Sequence, residues 1–342
     1  MTDARYRFTP GDFAAAEWDA LVSAAPGRNL IQCFAYGAAK EATGPWRIER
    51  GLIMAPDGQA AGAAQVLLRQ APLVGDAMAW LNRGPLRLHD AAPSPELEAG
   101  LIAAVTDHYA DNRRLYLRIA PMADASTFDP AWAGSLVATG TPGWASARLD
   151  LTQSLETLRA GLHGKWRNAL ARAERGGIEI REGSGDEVFE RFIVGHRAHI
   201  KRLGPEGGLD EALLRALRQA LPAAGAMTVL VAMIDGRAAA GMAFVPFGDS
   251  AEYLAGHADD RARDANAGQL LLWTAVERLK QAGLRTLDLG GMDEELTPDG
   301  IYRFKARVGA APYRLAGELE SRPKSPLAWL VRRRVRQARG DL

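Results

Sequence analysis

A single lysine, Lys305, lies in a glycine-bounded segment at residues 300–309 that closely follows the sequence Asp288-Leu-Gly-Gly. Paired glycines at 290 and 291 let another backbone or a substrate come close, because no Cβ stands in the way. An ammonium held just beyond such a turn is suited to meet an anion or a developing oxyanion. The segment therefore predicts a catalytic site, with Lys305 as the oxyanion donor and Phe304 shaping the pocket.

The neighbours of Lys305 suggest further roles. Asp288, at the end of a predicted buried strand, either deprotonates an incoming ammonium or holds the turn at Gly290 and Gly291 by hydrogen bonds. Tyr302 and the two glycines are candidate substrate contacts. The alternative for the lysine and Phe304 is structural: a surface cation and a core ring.

The elements that must position this site are a helix over residues 267–282 and a strand over 286–289. Leu272, Val276 and Leu279 form one apolar stripe of that helix, as expected for a helix that packs on a core. Gly283 follows as a helix stop.

A weak internal repeat indicates the architecture. Residues 52–66 and 231–245 each read as strand, Asp-Gly turn and strand, which is a strong hairpin signal. Each hairpin is preceded by predicted helices and followed by a long helix and a strand; the helices are at 12–25, 32–42 and 95–112 in the first half and at 186–202, 210–221 and 267–282 in the second. The pattern predicts an α+β fold of two similar domains with mixed, mostly antiparallel sheets.

Length and composition set the outer limits. The chain has 342 residues, 47% hydrophobic and 24% charged, with a net charge of +1, which is typical of a soluble globular protein of two domains. We expect domains at 1–150 and 151–320, a basic C-terminal helix at 321–342, and a connection rich in small residues at 121–143. The lone Cys33 and the lack of a long apolar run indicate a cytoplasmic protein.

Four stretches resemble the FemAB family of peptidoglycan aminoacyltransferases. The helix containing Gln32 and Lys40 is similar to the family's Gln-Ser-x-x-Trp-x-x-x-Lys helix, and residues 81–86 to its Arg-Gly-Pro strand end. Residues 164–178 are similar to its basic helix. The most specific stretch is residues 288–291 with 300–309, which is similar to the family's D-x-G-G and G-[ILV]-x-x-F-K-x-x-[FV]-G signature.

The resemblance implies two tandem GNAT-type acyltransferase domains that form an amide between an activated acyl donor and an amine of a cell-envelope precursor. It supports Lys305 and Phe304 as site residues and places Tyr253 against the acceptor. It also implies that Lys40 binds an anionic substrate, with Arg83 and Arg197 as further anion contacts. A solvated surface is the alternative for these cations, and a half-buried strand position is the alternative for Tyr253.

The donor depends on residues 263–268, which align with the loop that cradles pyrophosphate in CoA-dependent GNAT enzymes. Asn266 stands at a glycine position, and Asp264 adds a negative charge. This departure favours aminoacyl-tRNA as donor, with acyl-CoA as the alternative and a non-catalytic GNAT-like binding module as a second one. We expect no cofactor and no metal, because His196 and His199 alone do not make a site.

Two basic segments remain. The predicted helix with Lys165, Arg167, Arg172 and Arg175 is either a solvated face or a contact for tRNA phosphates or an anionic precursor. Residues 327–339 alternate apolar and basic side chains, so this helix either docks on the first domain or rests on anionic lipid at the inner face of the membrane. Oligomeric state is not predictable from these patterns.

Overall fold

The computed structural model describes residues 5–71, 75–88, 94–203 and 209–339, and the chain divides into two compact units. Met1–Trp144 and Arg314–Leu342 form the first unit, and Ala145–Tyr313 form the second. Each unit has one mixed sheet with helices packed on it, which is the predicted α+β class.

The first unit contains eight strands and four α-helices among its described residues. The strands are β1 (Arg7–Pro10), β2 (Trp46–Met54), β3 (Ala60–Ala71), β4 (Gly75–Asn82), β5 (Leu86–Arg87), β6 (Tyr116–Ala120), β7 (Val137–Ala138) and β15 (Leu319–Glu320). The helices are α1 (Ala15–Ser23), α2 (Phe34–Thr43), α3 (Pro95–Thr106) and α11 (Pro326–Arg339). The sheet order is β1-β2-β3-β4-β6-β15-β7, with β5 beside β3 and a single parallel pair, β4 with β6, among these strands.

The second unit contains seven strands and seven α-helices in its described part. The strands are β8 (Ala145–Asp150), β9 (Glu179–Gly183), β10 (Thr228–Ile234), β11 (Arg237–Phe247), β12 (Ser250–Ala258), β13 (Thr286–Asp288) and β14 (Ala311–Arg314). The helices are α4 (Leu155–Gly161), α5 (Gly164–Arg175), α6 (Asp186–Leu203), α7 (Glu211–Ala220), α8 (Asp260–Asp264), α9 (Ala267–Gln281) and α10 (Asp299–Ala306). The sheet order is β14-β8-β13-β12-β11-β10-β9, in which β12 and β13 run parallel.

Both predicted hairpins are confirmed. β10 and β11 join through Asp235 and Gly236, which both have positive φ, 51° and 72°, as a type I′ turn requires. β2 and β3 join through residues 55–59, where Gly58 has φ 84°. In each unit the hairpin leads into a further strand, a long helix and a strand parallel to the one before that helix, so the repeat seen in the sequence is a repeat of structure.

The unit boundary differs from the expected one. β8 begins at Ala145 and pairs with β13 through Leu149 and Leu287, so the second unit starts before residue 150. The chain returns to the first unit at Arg314, because β15 inserts between β6 and β7. Residues 121–143 are not a plain connection, since they include β7 and a short 3₁₀ helix, Pro130–Ala133.

Helix α9 supplies much of the second unit's core. Leu272, Val276 and Leu279 are buried, as the apolar stripe predicts, together with Leu271 and Trp273. The helix therefore packs its apolar face on the sheet and fixes the loop that enters it from β12. No helix among the described residues is long and apolar enough to cross a membrane.

Leu272→Ala should lower the free energy of unfolding of the second unit by about 2–5 kcal/mol, because Leu272 has no exposed surface and truncation leaves a cavity. Urea unfolding followed by tryptophan fluorescence measures the change. Gln281→Ala, at an exposed position of the same helix, is the matched control and should change stability by less than about 0.5 kcal/mol. An equal effect of the two substitutions would contradict the packing of α9.

Candidate active site

The site forms where strands β12 and β13 separate. They pair only from Ser250 with Thr286 to Glu252 with Asp288. At the next residues β12 carries a bulge against β11, since Ala243 is opposite Ala255 but Phe244 is opposite Tyr253, leaving Leu254 extra. A bulge bends and twists its strand, so the backbones of β12 and β13 diverge immediately beyond Asp288.

Gly290 lies at this divergence and has φ 69°. A Cβ at this position would lie 2.6 Å from the carbonyl oxygen of Tyr253 and 3.7 Å from Nζ of Lys305. Only glycine combines this backbone conformation with this approach. Gly290 therefore lets the turn after β13 come against β12 and the lysine.

Lys305 is a buried cation on α10, with 7% of its surface exposed. Its Nζ donates to the carbonyl of Gly291 at 2.9 Å and lies 5.0 Å from the centre of the Tyr253 ring. Burial lowers the pKa of Lys305 to about 8, while the charge of Asp288 acts in the opposite direction. Lys305 is therefore not the surface cation of the structural alternative, because its ammonium is enclosed between the glycine turn and the Tyr253 ring. Its pKa of about 8 also means that it can lose its proton close to neutral pH.

Asp288 is held by several donors. Its Oδ1 accepts from the Gly290 amide at 2.9 Å and lies 2.5 Å from the Ser146 hydroxyl, and its Oδ2 accepts from the Tyr313 hydroxyl at 2.6 Å. Arg148 lies 3.8 Å from the same Oδ2. Because both oxygens are engaged, the geometry favours the turn-holding role of Asp288 over that of a general base.

Phe304 and Tyr302 line the same part of the unit. Both are partly buried against the core cluster that contains α9. The Phe304 ring lies 5.9 Å from that of Trp166, whose Nε1 donates to the Phe304 carbonyl at 3.2 Å. A Cβ added at Gly268, in the first turn of α9, would lie 3.6 Å from the Phe304 ring. Phe304 is thus packed against the core and lies beside the start of α9, and its role in shaping a pocket stays a prediction.

Tyr253 contacts both a core aromatic ring and the buried lysine. Its ring packs 5.2 Å from that of Phe244 and faces the Lys305 ammonium. Burial raises the pKa of its phenol, so the hydroxyl stays protonated at neutral pH. The structure brings together Lys305, Tyr253, Gly290, Gly291 and Asp288.

Each cation expected to bind an anionic substrate contacts an aromatic or acidic side chain of its own unit. Lys40, on α2, lies 6.0 Å from the Trp46 ring, and buried Arg83 stacks 4.1 Å from the Trp144 ring; both belong to the first unit. Arg197, on α6, forms a bidentate pair with Glu211, with both N–O distances 2.7 Å. The guanidinium of Arg197 is thus already paired with the carboxylate of Glu211.

The histidines of α6 have partners within the protein. His196 is buried: its ring stacks on Phe192 at 5.5 Å, and Nε2 lies 2.8 Å from the Leu209 carbonyl. His199 contacts Arg202 at 3.2 Å. No group of three His, Cys, Asp or Glu side chains positioned for a metal ion occurs in the described parts of the chain.

The loop expected before α9 is largely helix α8, which together with its N-cap Asp259 carries three aspartates and two arginines. Arg261 and Arg263 pair with Asp259 and Asp260, while Asp264 is exposed. Asn266 has φ 58° and caps α9 without a side-chain hydrogen bond. The loop's two arginines are therefore engaged by its own aspartates.

Sequence reasoning missed Ser146 and Tyr313, which hold Asp288 from 142 and 25 residues away. Neither residue belongs to a local motif. The available signal was weak: a serine in β8 and a tyrosine in β14, the two strands that continue the sheet beyond β13.

Asp288→Asn should lower the stability of the second unit by about 1–3 kcal/mol, because the Gly290 amide and two hydroxyls lose a charged acceptor. Thermal unfolding measures the loss. If Asp288 holds the turn, the acid side of the pH–rate profile should keep its shape in the variant. Loss of an ionisation from that profile with unchanged stability would instead identify Asp288 as the base.

Lys305→Met should stabilise the second unit at pH 7 by up to about 3 kcal/mol. The folded-state pKa of Lys305, about 8, lies below the ordinary 10.5, so the unfolded chain binds the proton more tightly. The resulting cost is full below pH 8 and disappears as pH rises to 10.5. The gain should therefore shrink between these pH values.

Urea unfolding of the Lys305→Met variant at pH 7 and pH 10.5 tests this. Lys280→Met is the matched control, because Lys280 Nζ also donates to a backbone carbonyl, that of Leu151 at 2.9 Å. A pH-independent effect of Lys305→Met would contradict the buried cation.

Comparison with known proteins agrees with this geometry. Residues 159–306 match the family model of the acetyltransferase (GNAT) domain. The matched residues extend from α4 to the end of α10 and include Lys305 and Asp288. No curated protein matches the chain in sequence.

Solved structures match the whole fold. FemX shares 15% identity, with TM-score 0.77, over 94% of this chain and 99% of FemX. A tandem GNAT protein from the clavulanic acid biosynthesis pathway shares 16% identity with TM-score 0.56, over 94% of this chain and 99% of its own. L-PGS from Bacillus licheniformis shares 15% identity with TM-score 0.55, over 94% and 96% of the respective chains. Residues 159–306 thus carry an acetyltransferase (GNAT) domain, and the chain as a whole has the tandem GNAT fold seen in FemX.

Proposed function

We propose that the second unit transfers an acyl or aminoacyl group to an amine of a cell-envelope precursor. The observation that carries the proposal is the enclosed Lys305 ammonium at the point where β12 and β13 separate. A cation so placed, 2.9 Å from one backbone carbonyl, is preorganised for charge that develops on another carbonyl oxygen.

The chemical step forms one bond and breaks another. The acceptor nitrogen attacks the acyl carbonyl carbon, the carbonyl oxygen becomes an oxyanion near Lys305, and the ester bond to the donor then breaks. One amine proton is lost, and the leaving hydroxyl of the donor gains one. Lys305 must carry its proton to stabilise the oxyanion, so the active form of the enzyme is the one below its pKa.

Aminoacyl-tRNA is the donor that we favour. The loop before α9 has no spare arginine for a pyrophosphate, since Arg261 and Arg263 are paired with Asp259 and Asp260. The exposed Asp264 also repels such a group. An enzyme that uses charged tRNA acts in the cytoplasm, which is the location we propose.

The acceptor is proposed to be an anionic precursor. FemX is a structural neighbour of this chain, and Lys40 and Arg83 are the candidates in the first unit for contacts to the anionic group. The exposed basic residues Lys165, Arg172 and Arg175 of α5 are candidates for the tRNA backbone.

An acyl-CoA donor is the second candidate. The observation that favours it is the start of α9, where the amide-rich first turn lies beside the Phe304 ring and a helix N-terminus is a general anion site. Stabilisation by acetyl-CoA in thermal unfolding, and transfer from acyl-CoA but not from charged tRNA, would select this reading.

The decisive test is a mass-resolved transfer assay with charged tRNA and acyl-CoA pools, using wild type and Lys305→Ala. We expect Lys305→Ala to lower kcat about 100- to 1000-fold, because an oxyanion donor is lost. Lys280→Ala is the control and should retain the wild-type rate. Unchanged turnover of Lys305→Ala would remove Lys305 from catalysis, whereas no transfer by the wild type from either donor would favour a non-catalytic binding module.

The pH dependence of the transfer rate distinguishes the charge of Lys305 from the size of its side chain. Wild-type activity, expressed relative to Lys305→Arg, should fall as pH rises through about 8, because the lysine loses its proton there and arginine does not. Using this ratio cancels the titration of the acceptor amine. A ratio that stays flat from pH 7 to pH 9 would contradict the oxyanion role.

A further inference from the structure

Helix α11 has two faces of different character. One face packs on the first unit's sheet: Ala328 is buried, and Val331 and Val335 are partly buried against a cluster that includes Trp80 and Tyr116. Three of the helix's arginines turn toward β15 and its approach, where Arg332 and Arg336 lie at Glu320 and Arg339 at Glu318. This face is the docked helix that one of the sequence-based alternatives predicted.

The opposite face exposes apolar and cationic side chains together. Trp329 is 54% exposed and Leu330 is 40% exposed. Arg333 and Arg334 follow one turn later and are exposed, with the Arg333 guanidinium 5.7 Å from the Trp329 ring. Neither arginine has an ion pair within the described residues, and α11 contains no carboxylate. We call Trp329, Leu330, Arg333 and Arg334 the outer stripe.

The outer stripe leaves two large apolar side chains, Trp329 and Leu330, exposed to water, although the helix is already held on the sheet by its other face. Exposed large apolar side chains that lie beside one another are the informative exception on a soluble surface. An exposed tryptophan flanked by arginines matches the interface of a bilayer, where the indole enters the headgroup level and guanidinium groups meet phosphates.

We propose that the outer stripe of α11 docks on the surface of an anionic phospholipid bilayer. The docked inner face keeps the helix fixed on the sheet, so binding inserts Trp329 and Leu330 without unfolding the helix. RNA is the competing partner for the two arginines, but it gives no reason for exposed Leu330. The proposal does not depend on which donor or acceptor the second unit uses.

Vesicle co-sedimentation of the full chain tests the proposal. Wild type should bind vesicles that contain phosphatidylglycerol, bind much less to pure phosphatidylcholine, and lose binding as salt rises from 0.05 to 0.5 M, roughly the range over which screening becomes strong. Arg333→Gln with Arg334→Gln should weaken partitioning about 30-fold, because each basic residue near an anionic surface contributes about a factor of five. Trp329→Ser with Leu330→Ser should also weaken it and remove the blue shift of tryptophan fluorescence on binding.

Two controls keep the test specific. Val194→Ser with Leu296→Ser removes two other exposed apolar side chains, 62% and 71% exposed, and should leave vesicle binding unchanged. Transfer activity with a soluble acceptor should be unchanged in the outer-stripe variants, so that failure of this proposal is distinct from failure of the proposed function.

Three results would overturn the proposal: equal binding of wild type and both double variants, equal losses from the Val194 and Leu296 control, or loss of tRNA binding in the arginine variant with vesicle binding intact. The last result would assign the arginines to RNA.

Discussion

The short parallel pairing of β12 with β13 is the constraint on which the site depends. Three residues of each strand pair, and the bulge at Leu254 then turns β12 away. Where two strands separate, their backbone N–H and C=O groups need other hydrogen-bond partners, and other elements can enter the gap. Gly290 brings its backbone against Tyr253 at this point, and Lys305 places its ammonium beside it, where it donates to the Gly291 carbonyl.

Burial of a cation at this point is opposed by desolvation, and the surroundings offset only part of it. Asp288 is the nearby opposite charge, but its own oxygens are taken up by Gly290, Ser146 and Tyr313. The lysine's pKa therefore stays well below 10.5. Packing alone would be served better by an apolar side chain of the same length, which makes the buried lysine a candidate functional group.

The sequence was sufficient for features that depend on local chemistry. Asp235-Gly236 specifies its turn because both residues tolerate positive φ, and the apolar stripe of α9 specifies the face that packs. The proximity of Lys305 to Gly290 was predictable because the lysine and the glycine pair lie within 16 residues of one another. Features that depend on contacts distant in sequence were not predictable: the Ser146 and Tyr313 contacts to Asp288, the pairing of Arg197 with Glu211, and the burial of His196 against Phe192 all join separate elements. The return of the chain to the first unit at Arg314 was missed for the same reason.

The two units differ in the length of the parallel strand pair that flanks their long helix. In the first unit the corresponding parallel pair, β4 with β6, continues from Met78 with Tyr116 to Asn82 with Ala120. Backbone hydrogen bonding extends beyond it, since the Gly84 amide donates to the Ala120 carbonyl at 3.3 Å. After β6 the chain continues as Pro121-Met122-Ala123, whereas after β13 it continues as Leu289-Gly290-Gly291. The parallel pair thus keeps its strands together over five residue pairs in the first unit and over three in the second, where the glycine turn follows at the point of separation.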